Sequence, residues 1–409
     1  MKTILATAYA INPYKGSEDG TGWNLVGQIA RFNKVVVVTR ENNQESIEKY
    51  LSEYPDSIHK NIKFLYFDLP YWMRFWKKGE RGAMLYFYLW QFFMPYFIKK
   101  SNVHFDILHN LNFHNDWTPT FLWKLNKPLV WGPIGHHPKA PSEYVYKPYG
   151  RIEYLKSRIL WVVKNLFWKC DPFLGIALKK ADKIICMNSG VEKVHKIPAG
   201  KVVRMCAVSS DSNATCVLND SSMFSILSVG RLVPLKGFDI TLKAFHVFFN
   251  TLSGEQKKCV QLHLVGKGPL LNFLKNEIKV LGLENAVLIT EWVEKEKMKD
   301  IYTNASVFLF PSHEGAGMVV PEALSYGLPV ICFDNEGPGE FIDSSCGLKV
   351  PYSNYSNSVE AFSKQLGLLF QDSNLYRDLS IGALKTFNST FDWNIKGDIL
   401  RDVYNSLKN

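Results

Sequence analysis

The stretch Pro311-Ser312-His313-Glu314-Gly315-Ala316-Gly317-Met318-Val319-Val320-Pro321-Glu322-Ala323-Leu324 sets two carboxylates around a glycine-containing loop. An apolar run at 307–310 reads as the strand that delivers the chain to this loop, and a helix follows it. Glycine lets backbone amides approach a ligand closely. A helix N-terminus adds unpaired N–H groups and a partial positive charge, so the loop suits a phosphate. A carboxylate facing that phosphate would be repelled. It can instead accept two hydrogen bonds from a vicinal diol, a group that sugar and ribose rings both carry. A phosphate-friendly backbone between two diol-friendly acids is what a sugar nucleotide requires. Taken singly, each glutamate also fits an ordinary turn, one as a helix-dipole partner and the other as a solvated loop residue.

A second loop, Val229-Gly230-Arg231-Leu232-Val233-Pro234-Leu235-Lys236-Gly237, also follows an apolar run. Arg231 can hold phosphate oxygens bidentately and Lys236 adds a point charge. Two cations beside a diphosphate would stabilise the charge that develops as it leaves. Leu264-Val265-Gly266-Lys267-Gly268-Pro269 is a third loop of the same kind. The first half offers Gly16-Ser17-Glu18-Asp19-Gly20-Thr21-Gly22-Trp23, whose two acids can face acceptor hydroxyls. It also offers a polar loop, 109–117, holding His109 and His114. Either histidine is a candidate for the reacting centre. His136 and His137 follow another apolar run, but no third metal ligand accompanies them.

These loops need strands behind them. Apolar runs at 3–9, 34–39, 62–67, 106–109, 128–131 and 183–187 read as strands of one sheet. Runs at 224–230, 261–265, 286–290, 307–310 and 330–333 read as a second. Amphipathic stretches such as 21–32, 43–54, 238–250, 270–281 and 295–304 lie between them. Continuous apolar strands alternating with helices predict parallel sheets covered on both faces, hence two Rossmann-like α/β domains. At 409 residues, two domains are expected on size alone. The join is expected in 207–222, rich in Ser, Asn, Asp and Thr. Ligands of such folds sit outside the carboxyl ends of the strands, so a cleft between the domains is the expected site.

The ordered set resembles glycosyltransferase family 4, the large retaining group with the GT-B fold. The matching pieces are Gly230-Arg231 with Lys236-Gly237, Gly266-Lys267-Gly268, the Glu314–Glu322 pair, and Phe391-Asp392-Trp393 before the last helix. The resemblance implies two Rossmann-like domains facing across a cleft. An acceptor domain, 1–210, would be completed by the terminal helix 391–409, and 221–390 would be the nucleotide-sugar domain. It implies that Arg231 and Lys236 bind the diphosphate, Glu314 the donor sugar and Glu322 the ribose. Amides of Ala316, Gly317, Met318 and Val319 would support the phosphates. Gly230, Gly266, Gly268 and, from the first domain, Gly16 would line the donor site. Ala316 departs from the bulky aromatic that many members carry, and the Gly16 loop departs from their usual Gly-Gly pair. The expected reaction is transfer of a hexose-type sugar, with retention, to a glycan or lipid-linked acceptor in cell-surface polysaccharide synthesis. A non-catalytic nucleotide-sugar-binding scaffold and a GT-B phosphorylase or epimerase are the alternatives. No Asp-x-Asp sequence occurs, so neither a metal nor another cofactor is expected.

Charge divides unevenly. Residues 1–220 hold 30 Lys and Arg against 18 Asp and Glu, a balance of +12; residues 221–409 hold 18 against 20, a balance of −2. The basic half interleaves cations with aromatic rings at 69–81 and again at 151–169. This fits a surface resting on anionic lipid, whereas no nucleic-acid recognition motif supports the other use of such a surface. The uncharged run 83–98 is shorter than the ~20 residues a membrane span needs, and it reads either as core or as membrane-facing. Seven scattered cysteines without a Cys-x-x-Cys pair suggest reduced thiols. The short apolar start reads as a first strand rather than a signal segment. A cytoplasmic protein, peripheral on the inner face of the plasma membrane, is the expectation.

Overall fold

The structure, a computed structural model, describes residues 1–79, 81–111, 114–210 and 223–407. It contains two all-parallel sheets. The first holds β1 (Thr3–Thr7), β2 (Lys34–Thr39), β3 (Ile62–Tyr66), β4 (Ile107–Asn110), β5 (Leu129–Ile134), β6 (Lys183–Cys186) and β7 (Val202–Arg204), in the order β3-β2-β1-β4-β5-β6-β7. The second holds β8 (Phe224–Val229), β9 (Val260–Val265), β10 (Val287–Thr290), β11 (Val307–Phe310), β12 (Val330–Phe333) and β13 (Gly347–Val350), in the order β10-β9-β8-β11-β12-β13. Every strand expected from an apolar run is present. The two that lack such a run, β7 and β13, close one edge of each sheet.

Strand alternation distributes the first sheet's side chains between two cores. Ile4, Ala6, Val35, Val37 and Ile107 pack on one face, with helices Ser17–Ala30 and Trp393–Ser406. Leu5, Val38, Leu108, Leu129 and Trp131 face the other, covered by helix Ala83–Lys100. That helix settles the uncharged run as core: Tyr86, Phe87, Trp90, Met94 and Ile98 recur at helical spacing and are all buried. Among the described residues, no helix is long and apolar enough to cross a membrane.

The chain folds into two compact units. One comprises Met1–His136, Trp161–Ala207 and Trp393–Asn409; the other comprises His137–Leu160 and Val208–Asp392. The chain leaves the first unit at Ala207, at the head of the expected join. Residues 211–222 of that join lie outside the described residues. The terminal helix belongs to the first unit, where Lys396 Nζ donates to the Cys206 carbonyl at 2.5 Å and Lys2 Nζ to the Tyr404 carbonyl at 2.7 Å.

Residues 137–160 differ from the sequence expectation, which places them in the first domain. Tyr144 is buried in the core of the second unit, and its hydroxyl reaches Ser358 Oγ at 2.7 Å. Tyr149 and Tyr355 both donate to the buried Asp239 carboxylate. A fully buried carboxylate is costly without such donors, so these bonds fix the segment to the unit that holds Asp239.

Candidate functional site

In each sheet the strand order reverses beside the first strand, between β1 and β4 and between β8 and β11. Ligands of doubly wound sheets bind at such switch points, outside the carboxyl ends of the strands. In the second unit both key loops emerge there. Gly230, Arg231 and Lys236 follow β8, and Glu314 follows β11. Lys236 Nζ meets Glu314 Oε1 at 2.7 Å, with both side chains largely buried. Burial pushes the Glu314 carboxyl up, while Lys236, Ser312 and Arg231 pull it down; the net shift is upward. Arg231 is exposed beside this pair.

Close backbone approaches hold the loops together. Gly237 has φ +70°, and a Cβ there would stand 2.0 Å from the Pro311 carbonyl oxygen. Gly266 has φ +148° and lies equally tight, with 1.9 Å to the Gly230 oxygen. Only glycine fits these positions, so all three glycine loops gather at one end of the sheet. Gly268 is similarly pressed against Leu232.

Several supports were not evident from sequence. Asn335, just after β12, donates to the Ser312 carbonyl at 2.8 Å and accepts from the Gly337 and Gly339 amides. Its place at a strand's carboxyl end was the available signal. His137 Nδ1 accepts from the Gly315 amide at 3.1 Å. His313 lies stacked against Phe333 and Tyr352, where burial pushes its imidazole down to about 3, so it stays neutral. Glu322 stands in the first turn of the helix Val319–Ser325, with Met318 as its N-cap and Gly317 and Ala316 just before. Tyr302 donates to Glu322 Oε2 at 2.9 Å and stacks on Tyr326 with an interplanar angle of 7°.

In the first unit, Gly16 caps the helix Ser17–Ala30, and Glu18 Oε1 accepts from the His114 amide at 3.4 Å. Glu18 is thereby turned toward the β4 loop. His109 is a core residue. It lies within β4, is fully buried, and engages Tyr404 Oη at 2.5 Å and the Gly132 carbonyl at 2.7 Å. Burial pushes its imidazole down to about 4. With both ring nitrogens taken, it offers no atom to a substrate. His114 Nδ1 bonds the Pro133 carbonyl at 2.8 Å, while its buried Nε2 has no hydrogen-bond partner among the described residues. Asn112 and Phe113 of this loop lie outside the described residues. Asp116 accepts from His136 Nδ1 at 2.8 Å and lies 3.3 Å from His195 Nε2. Burial raises its carboxyl, but the two imidazoles outweigh this and hold it at about 2.

Residues 218–386 match the family model for glycosyl transferases group 1. The chain is 31% identical over 247 residues to mannosylfructose-phosphate synthase of Agrobacterium fabrum, covering 56% of this chain and 51% of that protein. It is 28% identical over 188 residues to the amylovoran biosynthesis glycosyltransferase AmsK of Erwinia amylovora, covering 44% and 43%. The chain spans about half the length of the curated relatives it matches. Among solved structures, Anabaena Alr3699/HepE in complex with UDP superposes with a TM-score of 0.64 at 14% identity over the whole of both chains. WaaG, a glycosyltransferase involved in lipopolysaccharide biosynthesis, gives 0.63 at 15% identity over 99% of this chain and 100% of that one. With the two parallel sheets, these likenesses establish the two-domain α/β GT-B fold.

Proposed function

We propose that this protein is a glycosyltransferase that moves a hexose-type sugar from a nucleoside-diphosphate donor to a glycan or lipid-linked acceptor, with retention, in cell-surface polysaccharide synthesis. The observation that carries the reading is the Lys236–Glu314 pair beside Arg231 at the β8/β11 switch point. The group 1 match over this unit supports it, as do relatives named for mannosylfructose-phosphate and amylovoran synthesis. That Alr3699/HepE was solved with UDP favours a nucleoside diphosphate as the carrier.

Arg231 and Lys236 bind the diphosphate and stabilise its charge as the bond from the anomeric carbon to the phosphate oxygen breaks. Glu314, kept in register by Lys236 and Ser312, holds donor hydroxyls. Glu322 takes the ribose diol, and the amides of residues 316–319 support the phosphates. Gly230, Gly266 and Gly268 let backbone approach the donor. In the first unit we assign the substrate-facing histidine to His114, whose Nε2 has no hydrogen-bond partner among the described residues. Because two cations supply the charge stabilisation, the reaction is metal-independent.

Free nucleoside diphosphate is expected only when donor sugar nucleotide and acceptor are both present, at a rate a chelator leaves unchanged. Nucleoside diphosphates should also raise the melting temperature, since a ligand of the folded state stabilises it by mass action. A scaffold would bind without turnover, and an epimerase would act without an acceptor. Loss of activity with chelator and recovery with manganese would refute metal independence. If no nucleoside diphosphate or nucleotide sugar shifted the melting temperature, the donor-site assignment would fail.

A further inference from the structure

The helix Glu143–Cys170 is broken at Gly150, whose φ of 79° is not helical, and it continues through 151–170 as a second helical segment. Ile152, Leu155, Ile159, Val162, Val163 and Leu166 recur every three or four residues, so they form one face. All are exposed, from 38% at Val163 to 71% at Ile152. Leu160 extends the same stripe. Trp161 and Trp168 turn inward against His136, together with several polar side chains. Arg158 Nη2 donates to the Ala140 carbonyl at 2.8 Å, and Ser157 and Asn165 bond carbonyls of their own helix. Lys164 is largely withdrawn from solvent near Asp116, and burial lowers its pKa. A helix on a water-facing surface normally keeps such an aliphatic stripe inward and leaves its outer face polar.

We propose that residues 151–170 form an interfacial helix whose outward stripe beds into the surface of an anionic lipid bilayer. The segment lies in the boundary plane without crossing, since no described helix qualifies as a span. The stripe is purely aliphatic, which hydrocarbon accepts without directional partners; protein interface cores favour aromatic, Met and Arg side chains. One helix face about 30 Å long and about 10 Å wide offers on the order of 300 Å² per chain, well short of the ~800 Å² per partner of a stable complex. Exposed Arg151, Lys156 and Lys169 border the stripe, Lys156 also pairing with Glu153. They belong to the half of the chain with a balance of +12. Cations at this depth are drawn to anionic headgroups, and two copies of the same basic border would repel.

The test is co-sedimentation of the full chain with vesicles of phosphatidylcholine alone or mixed with phosphatidylglycerol. It needs neither donor nor acceptor, so it stands or falls apart from the transferase reading. The wild type should pellet with the anionic vesicles and less with the neutral ones. The Ile159→Glu, Leu166→Glu double variant, altered only at exposed positions, should keep its melting temperature and lose vesicle binding by roughly 10-fold or more. Arg151→Glu with Lys169→Glu should remove the preference for anionic lipid. Wild-type protein that stays in the supernatant with both vesicle types would overturn the proposal, as would unchanged binding by the double variant. A wild-type dimer that the double variant converts to monomer, without vesicle binding, would show a self-association face instead and equally overturn it.

Discussion

Glu314 illustrates how a single side chain depends on its neighbours. Its carboxyl is buried, a condition that favours the neutral acid, and Lys236 is a principal force opposing this. Replacing Lys236 with Ala therefore drives Glu314 further toward protonation and, on the proposed function, also removes a cation from the diphosphate. We expect Lys236→Ala to lower kcat by about 10²–10³ and to move the acidic limb of the kcat–pH profile upward, with Lys236→Arg recovering part of both; steady-state kinetics across pH would show it. Tyr302 acts one step further out. Tyr302→Phe should weaken nucleoside-diphosphate binding by about 10-fold through loss of the hydrogen bond to Glu322. Binding of an analogue lacking the ribose hydroxyls should be unaffected, which calorimetry on both ligands would test. Arg231, Lys236, Glu314 and Glu322 stood out as candidates in the sequence because each sits in a glycine or proline context after an apolar run. Tyr302 did not, because it lies twenty positions before Glu322 in another helix and only packing joins them. His109 was misread for a different reason. Strand alternation puts it on the same face as Ile107, toward the last helix, and that face is invisible until Tyr404 is known to lie against it.

Among elements, the glycine loops are constrained most tightly. Gly266→Ala would force a Cβ to within 1.9 Å of the Gly230 oxygen at a φ that L-residues rarely adopt. A loss of roughly 2 kcal/mol or more is expected, read as a lower urea midpoint, with donor affinity falling because the Gly230 loop must shift. Strands of the two sheets could be read from continuous apolar runs because parallel strands are buried on both faces. β7 and β13 escaped notice because edge strands relax that requirement. β7 is three residues long with an exposed Arg204, and β13 places Lys349 in its middle. The helix Ala83–Lys100, uncharged as far as Ile98, was ambiguous in sequence for the opposite reason. Its composition suits both core and lipid, and only the sheet face it covers decides between them.

At the scale of the molecule, each unit buries a histidine that resists protonation, His109 at about 4 and His313 at about 3. The unfolded chain protonates near 6.5, so below that pH it binds protons that the native state refuses. The stability each group contributes at neutral pH is therefore lost as pH falls from about 6.5, to about 4 for His109 and about 3 for His313, at a cost on the order of 3–5 kcal/mol each. Asp116 works in another window: its depressed carboxyl contributes above about 3.9 and loses that contribution only as pH falls toward 2. Urea midpoints should hence drop between about pH 6.5 and pH 4, and a flat profile there would contradict the neutral burial of both rings. The two-unit organisation was foreseeable from length and from the repeated strand–helix plan. The exchange of segments was only half foreseeable, because Phe391-Asp392-Trp393 announces the returning helix while nothing in 137–160 announces its allegiance.

That exchange constrains how such a gene can be recombined. A single crossover in 211–222 would hand a descendant the second sheet without Tyr144 and Tyr149, which fill its core and satisfy Asp239. It would also hand over a terminal helix whose partners, His109 and Lys2, came from the other parent. The second unit is thus inherited as a mosaic of four crossovers, at 136/137, 160/161, 207/208 and 392/393, and chimeras built with those junctions should fold where a simple front-to-back splice does not.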